Sequence, residues 1–192
     1  MTEHLASSPQ RRVARRAVLG GLGALALLAT GGTPARSAIV TAHDTRSLKL
    51  RHLHTGERID LVYCRNGRYA PDALAEIDRF LRDHRDGTVH RIDPRVLDYL
   101  HDLSNRLGVT GRIDIVSGYR SPKTNALLRA NSPGVAKRSL HMKGMALDIR
   151  IPDFRVKTVA KAAIAMKRGG VGSYSRSNFV HIDCGTPRNW GA

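Results

Sequence analysis

The stretch Ser139-Leu-His141-Met-Lys-Gly144-Met-Ala146-Leu-Asp148 constrains this chain more than any other. It sets a histidine and an aspartate seven residues apart. Gly144 lets the backbone turn between them without a side chain in the way. Ala146 lies two residues before Asp148 and shares its face if the segment is a strand, so a larger side chain there would crowd whatever Asp148 binds. A second histidine follows in Phe179-Val-His181-Ile-Asp183. Two imidazoles and a carboxylate form the ligand set of a catalytic zinc site with one position left open. Zinc lowers the pKa of a bound water towards about 7, which provides a nucleophile near neutral pH. His141, Asp148 and His181 are therefore the candidate metal ligands of a metallohydrolase.

The rest of the pattern predicts an α+β fold, with a small, mostly antiparallel sheet flanked by helices. Residues 47–54 and 57–64 alternate around Thr55-Gly56, the mark of a hairpin. His52 and His54 share one face there and are expected to face solvent, although a second metal site is conceivable. Leu74, Ile77, Phe80 and Leu81 recur at helical spacing, which predicts a helix over 71–86 that Gly87 ends. Asp93-Pro94 has the form of an N-cap and first helical residue. The stripe of Val96, Leu97, Leu100, Leu103 and Leu107 then runs to a stop at Gly108. Residues 113–116 read as a strand, and Ser121-Pro122 opens a short helix through Ala130. A polar loop spans 131–138. Residues 145–151 form the strand that carries Asp148. A helix over 156–168 has Val159, Ala163, Ile164 and Met166 inward, and two strands, 171–174 and 178–184, close the chain.

A chain of 192 residues holds one domain with a substantial core rather than two. Arg11-Arg12 and Arg15-Arg16 precede an uncharged Ala/Leu/Gly run from Ala17 to Thr30, with small residues at Ala35, Ser37 and Ala38. This is the layout of an export signal, and the paired arginines favour the twin-arginine route. The run is too short for a stable membrane span. The expected organisation is a signal over 1–38, a linker over 39–46 and the folded domain over 47–192, placed in the periplasm or cell envelope with no transmembrane segment after signal removal. The net charge is +16, and the first 38 residues hold five arginines and one glutamate, so 16 − (5 − 1) leaves +12 on the remainder. That surplus favours polyanionic partners such as cell-wall polymers. The basic residues are scattered without interleaved aromatics, so nucleic acid is not the expected partner. Cys64 and Cys184 are the two cysteines. A buried thiol or a disulfide is expected of them rather than a place among the ligands, because on a strand Cys184 points away from the His181 face.

Ser139-x-His141-x-x-Gly144-x-Ala146-x-Asp148 resembles the signature of the zinc D-Ala-D-Ala peptidases, grouped with lysostaphin-type enzymes and the hedgehog domain. Val116-Ser117-Gly118-Tyr119-Arg120-Ser121 is similar to a second motif of those peptidases. Gly169-Gly170-Val171-Gly172 and Phe179-Val180-His181-Ile182-Asp183 look more specifically like the M15 peptidase branch once called DUF882, which includes a periplasmic murein endopeptidase. The resemblance covers roughly residues 47–190. It implies Zn2+ held by His141, Asp148 and His181, and Arg120 as the group that polarises the substrate carbonyl, a role suited to a guanidinium that stays charged. Peptidoglycan stem peptides or their cross-links are the implied substrate.

One departure stands out. The carboxypeptidase branch has a glutamate general base three residues before the second histidine, and here that position is Asn178, which cannot accept a proton. Asp183 is the nearest replacement, either as general base or as the partner that orients a ligand histidine. His101 is a weaker candidate. The leading expectation is a zinc murein endopeptidase that cuts peptide cross-links. The alternatives are a D-Ala-D-Ala-type carboxypeptidase, or a non-catalytic zinc domain that binds wall peptide or a protein partner.

Overall fold

Thr55-Gly56 makes the first turn where the alternation places it, with Gly56 at φ 74°. In the computed structural model, which describes residues 44–132 and 134–191, β1 (Thr45–His52) pairs antiparallel with β2 (Arg58–Arg65) across that turn. The expected signal, and the expected linker up to residue 43, lie outside the described residues. β1 begins at Thr45, inside the expected linker, because Arg46 is anchored to Asp98 at 2.8 Å. The other elements are β3 (Arg68–Tyr69), α1 (Pro71–Phe80), α2 (Pro94–Leu107), β4 (Ile113–Ser117), α3 (Pro122–Asn131), β5 (Ala146–Arg150), α4 (Val156–Met166), β6 (Gly170–Tyr174), β7 (Phe179–Asp183) and β8 (Arg188–Gly191). A 3-10 turn, Leu140–Lys143, precedes β5.

One eight-stranded sheet runs in the order β3-β2-β1-β4-β5-β7-β6-β8. Its neighbours pair antiparallel except β1–β4 and β6–β8, which are parallel. The fold is therefore α+β with a mostly antiparallel sheet, wider than expected because β3 and β8 carry no alternating pattern to announce them. One face is apolar. Leu50, Ile115, Leu147, Ile149, Val180 and Ile182 are buried with Val96, Leu97, Leu100 and Leu103 of α2 and Val159 and Ala163 of α4. Truncating one of these leucines or isoleucines to alanine costs about 2–5 kcal/mol. Residues between them in β5 and β7, namely Asp148, His181 and Asp183, point to the opposite face. The period-two alternation thus separates core from site.

The caps are as the sequence predicts in two helices. Asp93 accepts from the Arg95 amide at the start of α2, and Gly108 ends it at φ 65°. Ser121 caps α3 by accepting from the Thr124 amide at 3.1 Å. α1 stops at Phe80, short of the expected Asp86. Asp83 is the cause: its carboxylate accepts from the Arg85 amide at 3.0 Å and the Ser121 amide at 2.9 Å, so its side chain diverts the backbone into a loop. α4 ends at Met166 with Lys167 left-handed at φ 54°. Its inner face is Val159, Ala160 and Ala163, whereas Ile164 is 40 % exposed and Met166 half-buried. Small alanines, rather than Ile164, carry the helix against the sheet.

His52 corrects the expectation of a solvent-facing pair. β1 is an interior strand between β2 and β4, and His52 is fully buried while His54 is exposed. Its Nδ1 accepts from the His54 and Thr55 amides, and its ring lies edge-on to Phe80 and His84. Burial pushes both His52 and His84 down to about 4. A depressed imidazole stays neutral in the folded chain, while the unfolded chain takes up protons below about pH 6.5. Stability conferred by the neutral rings is therefore present above pH 6.5 and lost as pH falls towards 4. We expect unfolding free energy from urea titrations to drop by about 1–3 kcal/mol between pH 7 and pH 4.5 on this account. His52→Asn, which keeps an acceptor for the two amides, should flatten that dependence. An unchanged slope in the variant would remove His52 from it.

Candidate metal centre and pocket

Strand register assembles the site. Asp148 on β5 lies opposite His181 on β7, His181 opposite Gly172 on β6, and Gly172 opposite Trp190 on β8. His141 reaches this row from the 3-10 turn. Ser139 starts the turn by accepting from the His141 amide, and Gly144 ends it at φ 64°. Gly144 is required twice over: its backbone is left-handed, and a Cβ would collide with the Arg91 carbonyl. Gly172 serves the site differently, because a Cβ there would meet the Trp190 ring at 2.7 Å.

Three ligand-type atoms converge. His181 Nδ1 is 2.9 Å from Asp148 Oδ1, His141 Nε2 is 3.3 Å from the same oxygen, and the two ring nitrogens are 3.1 Å apart. The far nitrogens have other partners. His141 Nδ1 lies 2.7 Å from the Gly118 carbonyl, and His181 Nε2 lies 3.1 Å from Asp183 Oδ2. A carbonyl and a carboxylate can only accept, so each far nitrogen carries its proton. In the neutral rings, His141 Nε2 and His181 Nδ1 then present lone pairs to each other and to a carboxylate. Such a group needs a cation between its members, and these atoms lie within 4.8 Å of one another, so they could hold a metal ion. The outward hydrogen bonds are those that fix the tautomer and raise the basicity of a metal-binding histidine.

The charges fit this arrangement. Burial opposes an imidazolium at His181, yet hydrogen bonds to Asp148 and Asp183 outweigh it and push the ring up to about 9. Burial alone would raise Asp148, but His141 and His181 hold it well below the usual carboxylate range. Asp183 is fully buried and also held low, because His181, Arg188 and the Gly185 and Gly170 amides outweigh its burial. Its Oδ1 accepts from Gly170 and Gly185 at 3.0 and 2.9 Å, and Arg188 grips both oxygens at 3.1 and 2.7 Å.

The three atoms open into a pocket of about 600 Å³. Arg120 lines it, with Nη2 3.6 Å from Asp148 Oδ2 and its Nε buried without a partner. Burial lowers its pKa, partly offset by Asp148. The structure thus brings His141, Asp148, His181 and Arg120 to one pocket. Asp183 lies behind His181 and does not line the pocket. Asn178 is exposed in the β6–β7 turn at φ 54°, where its carbonyl accepts from Arg150. His101 lies on α2, bonded to Asn105 and edge-on to Tyr63, away from the pocket. The cysteines are free thiols. Cys64 on β2 and the residue after β7 are four strand spacings apart, about 19 Å, beyond a disulfide's reach. That excludes the Cys64–Cys184 bridge. Cys184 lies near the Met145 carbonyl, and burial pushes its thiol up to about 11.

Several pocket residues escaped the sequence reading. Trp190 tilts over His181 at 5.2 Å, donates to the Tyr174 hydroxyl at 2.8 Å and lies under the Arg188 guanidinium. Tyr174 stacks on Phe179 at 4.5 Å. The chain's single tryptophan, two residues after Arg188 and five after Gly185, was the signal available.

The mostly antiparallel α+β fold places a buried His-Asp-His group, which could hold a metal ion, at the floor of an open pocket. The chain belongs to the Peptidase_M15_2 family, described as peptidoglycan L,D-endopeptidase MepK, whose profile matches residues 40–190. It is 44 % identical over 178 residues to the peptidoglycan L,D-endopeptidase MepK of Escherichia coli K12, covering 92 % of this chain and 97 % of that protein. A relative from Haemophilus influenzae, named "Probable peptidoglycan L,D-endopeptidase MepK", is 38 % identical over 154 residues, covering 80 % of this chain and 83 % of its own.

The contacts of Asp183 generate a test of its role. Asp183→Asn weakens the acceptor that holds the His181 tautomer, so affinity for an added divalent metal ion, measured by competition with a chromophoric chelator, should fall by about 10- to 100-fold. Unchanged affinity with lost turnover would instead make Asp183 the proton acceptor.

Proposed function

We propose that the chain is a zinc-dependent endopeptidase that cleaves L,D peptide cross-links in peptidoglycan. The observation that carries this reading is the convergence of His141 Nε2, His181 Nδ1 and Asp148 Oδ1 beneath an open pocket, in a family whose relatives bear that name. These three residues would hold the zinc, which when bound supplies Lewis acidity and a water nucleophile near neutral pH. Arg120 faces the same space with its Nε unpaired. Its guanidinium would donate to the amide oxygen as negative charge develops there. Asp183, saturated with donors and behind His181, fits the orienting role better than that of general base. Trp190 and Tyr174 line the pocket beside His181, with the Trp190 ring 5.2 Å from the imidazole.

Residues 1–38 are proposed as a twin-arginine-type export signal and 39–46 as a linker whose last residues join β1, so the catalytic domain works in the periplasm or envelope. Among the described residues no helix is long and apolar enough to cross a membrane. The surplus of basic residues would hold the domain on anionic wall polymers.

One observation favours a second reading. Asp148 is the only carboxylate among the described residues that line the pocket, and it faces the histidines. A zinc domain that binds wall peptide without cutting it would need no free base. Digestion of defined muropeptides by purified, zinc-loaded protein separates the readings. We expect L,D cross-linked dimers to fall to monomers, with the loss blocked by chelator and restored by zinc. Release of terminal D-Ala alone would make the chain a carboxypeptidase. Intact dimers with stoichiometric zinc would make it a binding domain.

A further inference from the structure

Three arginines line the pocket, and their surroundings differ. Arg120 is nearly buried and turned towards Asp148 at 3.6 Å. Arg188 is held by Asp183 on both oxygens and lies over the Trp190 ring, 5.1 Å from its centroid. Arg138 is exposed at the pocket wall and makes no hydrogen bond or ion pair with any described residue. Its backbone is nevertheless fixed. The next residue, Ser139, caps the turn that carries His141. Two residues earlier, the Ala136 carbonyl accepts from Asn125 at 3.2 Å. The result is a free guanidinium on an anchored stem, beside a metal-type centre.

The other charges leave Arg138 without an internal counter-ion. Asp148 is the only carboxylate among the described pocket-lining residues, and its oxygens face His141, His181 and Arg120. An unneutralised cation in a cleft raises the local concentration of anionic ligands. A guanidinium moreover recognises a carboxylate with two parallel hydrogen bonds.

We propose that Arg138 is a specificity-determining residue that pairs with a free carboxylate next to the scissile amide. This assignment rests on the endopeptidase reading of the same pocket and deepens it. An L,D bond joins the carbonyl of an L-centre to an amine on a D-centre. That D-configured carbon carries either a free carboxylate or the next amide. Arg138 selects the former, so the substrate class is a cross-link whose amine-side residue ends in an unamidated carboxylate. A neutral carboxamide in its place keeps the shape and loses the charge-assisted pairing.

Two synthetic cross-linked peptides, identical except for carboxylate or carboxamide at that carbon, test the assignment. Zinc-loaded wild type should cleave the carboxylate form with kcat/KM at least about tenfold higher, mostly through KM. Arg138→Gln should bring the two within about threefold of each other, and Arg138→Lys should keep part of the preference. Zinc content and thermal midpoint, measured on each variant, show that folding and metal loading are intact. A wild type that cleaves both forms equally, or an R138Q that keeps the full preference, overturns the role of Arg138 and leaves the endopeptidase reading standing. A zinc-loaded wild type that cleaves neither form overturns both.

Discussion

Three electron-rich atoms point at one buried place, and much of the surrounding structure serves to keep them there. His141 Nε2, His181 Nδ1 and Asp148 Oδ1 lie within about hydrogen-bond distance of one another. Their outward protons are fixed by the Gly118 carbonyl and by Asp183. Without a cation between them, two lone pairs and an anion would repel in a region of low dielectric. The arrangement therefore stores a demand for positive charge, which a proton on His181 or a metal ion satisfies. Either choice is local chemistry, but the geometry that creates the demand is global.

That geometry begins with the sheet. β5 and β7 pair in a register that sets Asp148 against His181 and Ala146 against Asp183, while Leu147, Ile149, Val180 and Ile182 fix the same strands in the core from the other side. A one-residue slip of either strand would turn its site residue, Asp148 or His181, into the apolar layer. The glycines of β6 and the preceding turn then make room for what stands behind His181. A side chain at Gly170 would occupy the space of Asp183 and Arg188, and one at Gly172 that of Trp190. Arg188 closes the arrangement by neutralising the buried Asp183, which lets a full carboxylate sit behind the ring without a large desolvation penalty. On the other flank, the loop after α1 uses Asp83 and Asp86 to hold Ser121, and so the segment that carries Arg120.

The convergence of His141, Asp148 and His181 was legible because the spacing is restrictive: a turn glycine, a small residue beside the carboxylate and a strand-borne histidine admit few alternatives. Cap residues were legible for the same reason, since Asp93-Pro94 and Ser121-Pro122 act through their own backbones. What escaped depends on distant partners. The early end of α1 follows from Asp83 reaching Ser121, a contact between residues 38 apart. His52 is buried because β4 joins β1 in parallel, which no local pattern announces. β8 is a short strand without alternation, so Trp190 and Arg188 gave no sign that they flank His181. Asp183 illustrates the limit best. Its place on the His181 face could be read from a period of two, but its saturation by two amides and a guanidinium could not.

X-ray absorption at the zinc edge of the metal-loaded protein tests the central claim most directly. A shell of nitrogen and oxygen neighbours near 2.0–2.1 Å, with the outer-ring scattering of two imidazoles and no sulfur, is the predicted result. A sulfur neighbour near 2.3 Å, or the signature of one imidazole alone, would contradict it.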